Sequence, residues 1–143
     1  MRHAATSMAL ALLMPITAPA AGAPGAQADP SPVLVFFDWG KPEIGSDAAG
    51  TLDAFVADYR AMPGHRLIVS GHSDRSGSAA GNRRSATRRA DAVAAYLADR
   101  GVPRSAMTIA AFGEERPLIP TADGVREPQN RRVEIALAPN AAP

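Results

Sequence analysis

The stretch richest in chemistry is Gly71-His72-Ser73-Asp74-Arg75-Ser76-Gly77, followed by Asn82 and then by Arg88-Arg89-Ala90-Asp91. Asp74 sits in a glycine-bearing loop just past a strand end, where α/β folds carry their binding groups. Arg89 falls about two turns into the next helix, beside an apolar position, and a long side chain there reaches back toward the helix N-terminus and the loop. A carboxylate and a guanidinium facing one pocket suit a ligand with both an ammonium and a carboxylate, such as an α-amino acid. The guanidinium forks onto the carboxylate while Asp74 accepts from the ammonium. The same two side chains can instead pair with each other and only hold the loop, and spacing alone favours that pairing.

Other chemistries find less support. His72, Ser73 and Asp74 are the residue types of a hydrolase triad, but sequence neighbours do not make one, and no nucleophile elbow accompanies Ser70 or Ser85. His65 and His72 are the only histidines beyond His3, without an HExxH or carboxylate cluster beside them, so no metal is expected. Arg83-Arg84, Arg88-Arg89 and Arg131-Arg132 are basic pairs. With a formal net charge of +1 and no aromatic platforms between them, they read as a solvated face rather than a nucleic-acid contact. Cysteine is absent, which excludes a disulfide framework, a thiol nucleophile and cysteine-ligated metal, and leaves no cysteine to acylate. The expectation is a binding protein that is no enzyme and uses no cofactor.

These residues need elements to position them. Val33 to Phe37 is a short apolar run that reads as a strand. Ser46 is placed to cap a helix from Asp47, with Leu52, Phe55, Val56 and Tyr59 on one stripe and Pro63-Gly64 as its stop. Arg66 to Ser70 is a second strand, and a polar loop runs from Gly71 to Gly81. The spacing of Ala86, Ala90, Val93 and Leu97 predicts a helix from about Asn82 to Arg100, closed by Gly101. Thr108 to Phe112 and Arg132 to Leu137 are strands, the latter alternating apolar and polar residues. The order β-α-β-α-β-β predicts an α/β fold, a two-layer α+β sandwich with both helices on one face of a mixed sheet.

The N-terminus reads as an address. Arg2 and His3 precede the apolar run Met8 to Ile16, and small residues follow, with cleavage-like triplets Ala18-Pro19-Ala20 and Ala26-Gln27-Ala28. The run falls well short of the ~20 residues of a spanning helix. The expectation is a secretory signal peptide over 1–28, a linker over 29–32, a domain over 33–138 and a frayed tail over 139–143. Removing 1–28 takes away Arg2 and no acidic residue, so the formal charge falls from +1 to zero. The 46% hydrophobic and 20% charged composition is that of a globular domain.

From Val33 to Leu137 the chain resembles the OmpA-like peptidoglycan-binding domain, which also occurs in Pal-type lipoproteins and MotB-type stator proteins. Four blocks carry the resemblance in order: Phe36-Phe37-Asp38; Gly71 to Gly77 with Asn82 and Arg89-Ala90; Phe112-Gly113-Glu114 with Pro117; and Asn130-Arg131-Arg132-Val133-Glu134-Ile135. The chain differs from the common pattern at Gly81, Ser85 and Ala86 and in the approach to Asn130. The resemblance implies non-covalent binding of the diaminopimelate residue of a peptidoglycan stem peptide in the Gram-negative periplasm, at the cell wall or outer membrane. Asp74 and Arg89 match the family's main ligand contacts. Phe37, Asp38 and Trp39 are expected to line the same pocket, Asn82 to order the loop, and Asn130 and Arg131 to frame the far side. Peptidoglycan is the implied partner, with other envelope proteins as further candidates and no nucleic acid. A structural envelope protein that keeps the fold without binding the wall is the alternative.

Overall fold

Four strands and two helices follow one another along the chain: β1 (Val33–Phe36), α1 (Ser46–Arg60), β2 (Arg66–His72), α2 (Ala79–Asp99), β3 (Met107–Gly113) and β4 (Arg132–Ala138), with short 3-10 turns at Arg104–Ala106 and Pro128–Asn130. The computed structural model describes residues 31–62 and 64–138. The expected signal peptide, Pro63 and the expected tail lie outside the described residues. No described helix is long and apolar enough to cross a membrane.

The sheet order is β1-β4-β2-β3. β2 and β3 run parallel, joined by α2, whereas β4 is antiparallel to both β1 and β2. β1 and β2 therefore point the same way, and the last strand lies between them. Alternation sorts the side chains: Leu67, Val69, Val133, Ile135 and Val35 share one face and enter the core with Leu52, Phe55, Val56 and Tyr59 of α1 and Ala90, Val93 and Leu97 of α2. This is the predicted two-layer arrangement.

The helix ends depart from the sequence expectation. Gly45, not Ser46, occupies the N-cap of α1, because the first helical bond runs from Ala49 N–H to the Gly45 carbonyl. α2 begins at Ala79, three residues before Asn82, because the Ser78 hydroxyl accepts the Gly81 N–H and caps an extra turn. Its C-terminus follows expectation. Gly101 adopts φ +94°, its N–H bonds the Ala98 carbonyl, and the Val102 N–H bonds the Leu97 carbonyl, a Schellman motif with Val102 buried. β2 runs two residues past Ser70, so His72 belongs to the strand and Asp74 lies two residues beyond its end.

Candidate functional site

The site forms where the C-terminal ends of β1 and β2 meet the start of α2 and the residue before β4. Close approach of α2 to the sheet depends on Gly71. A Cβ there would lie 2.0 Å from the Ala86 carbonyl oxygen and 3.2 Å from the Ala90 Cβ. That contact presses α2 onto β2 and carries Arg89 under the loop holding Asp74.

Asp74 is 3% exposed and well supplied with donors. Its Oδ1 accepts the Ser76 backbone N–H at 3.1 Å and the Ser76 hydroxyl. Its Oδ2 accepts from Arg131 Nη1 at 3.0 Å, an ion pair largely shielded from water. Arg131 Nε donates to the Phe37 carbonyl at 3.1 Å, which ties the pair to the end of β1. Trp39 Nε1 donates to the Ser76 hydroxyl at 3.1 Å, and the Arg126 guanidinium lies over the Trp39 ring at 3.7 Å.

Arg89 is 2% exposed and makes no ion pair among the described residues. Its Nε, Nη1 and Nη2 donate to the carbonyls of Lys41 (3.3 Å), His72 (3.4 Å) and Asp38 (3.2 Å). The guanidinium stands 5.6 Å from the Phe37 ring centroid. Burial pushes its pKa below the usual arginine value, nearby Arg131 pushes the same way, and Asp74 opposes them. Asp74 and Arg89 thus do not neutralise each other; the carboxylate pairs with Arg131 instead. A cavity of about 160 Å³ is lined by Trp39, Asp74, Ser76, Asn82, Ser85, Arg89 and Arg131, among others.

Against this geometry the family comparison is decisive, since the OmpA family model matches residues 36–131, well over half of the chain. The chain belongs to the OmpA family. An outer membrane protein of Gluconacetobacter diazotrophicus is 40% identical over 114 residues, which is 73% of this chain but 29% of that protein. The peptidoglycan-associated lipoprotein of Haemophilus influenzae is 34% identical over 102 residues, covering 71% of this chain and 67% of that protein. Neither relative carries an enzyme's name. Among solved structures, the peptidoglycan-associated lipoprotein of Burkholderia pseudomallei aligns with TM-score 0.67 at 24% identity over 73% of this chain and 89% of that one. The C-terminal domain of Helicobacter pylori MotB aligns with TM-score 0.67 at 22% identity, over 77% and 85% of the two chains. At these identities the structures establish a shared fold.

This OmpA-family chain places the other expected site residues in different ways. Asp38 reaches Arg89 through its backbone carbonyl while its side chain is exposed. Phe37 lies behind the arginine rather than in the cavity wall. Asn82 lines the cavity and donates to Glu114 at 2.7 Å. Asn130 does not frame the pocket. It is fully buried and clasps the Ile119 backbone, accepting its N–H and donating to its carbonyl, both at 2.8 Å. It therefore anchors the long loop after β3 through a two-way amide pairing.

Sequence reasoning missed Ser76, Arg126 and the three carbonyls that cradle Arg89. The serine is the link between Trp39 and Asp74, and its place two residues after Asp74 in a turn was the available signal. Ser73 donates to the Asp74 carbonyl, and His72 stacks on Phe112 at 5.4 Å, so no triad forms. The described residues hold no group of three or more metal-capable side chains. Of the basic pairs, Arg89 is buried, Arg131 holds Asp74 and Arg132 holds Glu134 at 2.8 Å, while Arg83, Arg84 and Arg88 stay exposed along α2, with Arg83 paired to Glu115.

Proposed function

We propose that this protein binds peptidoglycan non-covalently in the cell envelope, through the zwitterionic end of the diaminopimelate residue of a stem peptide. The observation that carries the reading is Arg89, a buried cation without a carboxylate partner among the described residues. Of its five N–H donors, three go to carbonyls, which leaves one on each terminal nitrogen. Two such donors suit a ligand carboxylate. Asp74 Oδ2 has one protein donor and retains acceptor capacity for an ammonium. The names of relatives, outer membrane protein and peptidoglycan-associated lipoprotein, support a wall-facing role in the periplasm.

Two or three charge-assisted bonds of about 1.5–3 kcal/mol each, less the cost of ordering the ligand, give micromolar to millimolar affinity for a single stem peptide. The test is co-sedimentation with purified diaminopimelate-type sacculi, comparing wild type with Asp74→Ala and Arg89→Ala, each checked for folding by circular dichroism. Wild type is expected in the pellet and both folded variants in the supernatant. Folded wild type that stays soluble overturns the reading. It would leave the alternative of a fold kept for structural or partner contacts, to which the Asp74–Arg131 pair lends its weight.

A further inference from the structure

The two rims of the 160 Å³ site carry opposite charge. On the Arg131 side lies a larger cleft of about 570 Å³, lined by Asp38, Glu43 and Asp47 among others. All three residues are exposed, and none forms an ion pair or side-chain hydrogen bond within the described residues. On the Trp39 side the outermost group is Arg126, which also has no carboxylate partner among the described residues. Its guanidinium is held over the Trp39 ring at 3.7 Å, the Trp39 indole is bonded to Ser76, and Ser76 is bonded to Asp74. The position of this cation is therefore tied, through two side chains, to the carboxylate that takes the ligand ammonium.

We propose that Arg126 is a specificity-determining residue that pairs with a second carboxylate of the stem peptide, outside the zwitterion held by Arg89. The inference rests on the wall-binding reading above. A diaminopimelate stem peptide carries further carboxylates, among them the α-carboxylate of its γ-linked glutamate. Leaving the site past Asp38, Glu43 and Asp47, such a chain would meet like charge; leaving past Trp39 and Arg126, it meets a stacked guanidinium that can fork onto it. The acidic cleft thus orients the peptide as much as the arginine attracts it, and amidation of the glutamate removes the distinction.

The test is a two-by-two titration by calorimetry at low salt. Wild type and Arg126→Gln are each titrated with the diaminopimelate tripeptide bearing a free glutamate α-carboxylate, and with the same tripeptide amidated there. Expected is a loss of about fivefold for the acid peptide in the variant, a loss that disappears at high salt, and unchanged affinity for the amidated peptide. Equal losses with both peptides, or no loss with either, overturns the role of Arg126 while wall binding stands. Wild type that binds neither peptide overturns the parent reading and this one with it. Glu43→Gln/Asp47→Asn serves as a second arm. Removing those charges is expected to leave the affinity for the acid peptide unchanged, and tighter binding of that peptide with no gain for the amidated one would place its exit in the cleft instead.

Discussion

Asp74 shows what a residue pattern discloses and what it conceals. Its place in the site follows from the glycine-flanked loop after β2. Its partner does not, because Arg131 lies 57 positions away and comes close only when β4 settles beside β1. Period-2 alternation reports which face a side chain occupies, not which strand becomes its neighbour. The pairing has an energetic consequence. Arg131→Ala would leave a buried carboxylate with only the Ser76 donors and is expected to destabilise the fold by about 3 kcal/mol, read from urea unfolding. His72 gives a pH signature of its own. Burial, aided by Arg132 and opposed by Glu134, lowers its pKa from 6.5 to about 4. The unfolded chain therefore takes up a proton that the folded one refuses. This contribution to stability is complete above the unfolded pKa and is lost as pH falls toward the folded one. Unfolding free energies are expected to drop by about 2 kcal/mol between about pH 7.5 and about pH 5, and His72→Phe to remove most of that dependence.

At the scale of elements, both helices and all four strands were legible, because their apolar periods are clean. The ends were less so. Ser78 lies in Gly77-Ser78-Ala79-Ala80, where glycine and small residues resemble loop, and only its bond to the Gly81 N–H reveals a cap. The bonds of Asn130 to Ile119 are not legible in the sequence, because a signature position says that a residue matters without saying to what it bonds. Gly71 is the hinge of the arrangement between layers. The atom nearest an added Cβ is a backbone oxygen of α2, which a rotamer change cannot move aside. Gly71→Ala is expected to cost about 3 kcal/mol, seen as a lower thermal midpoint, and to weaken ligand binding in whatever fraction still folds, since α2 must shift and Arg89 with it.

The whole molecule depends on its last strand. β4 bonds β1 on one side and β2 on the other and supplies Val133 and Ile135 to the core. A chain ending at Asn130 is expected to lose its cooperative unfolding transition altogether, measured by thermal denaturation followed in the far ultraviolet. Sequence order alone did not reveal this interposed position, which is a property of pairing.

The same insertion sets a schedule. A polypeptide emerges from the ribosome N-terminus first, so Phe37, Asp74 and Arg89 are all made before Arg131 and the strand behind it. Until that strand slots in, Asp74 lacks its cation and the Phe37 carbonyl lacks its donor. If the wall-binding reading holds, a half-made or half-threaded molecule has no site to offer, and engagement with the wall would double as proof that β4 has taken its place.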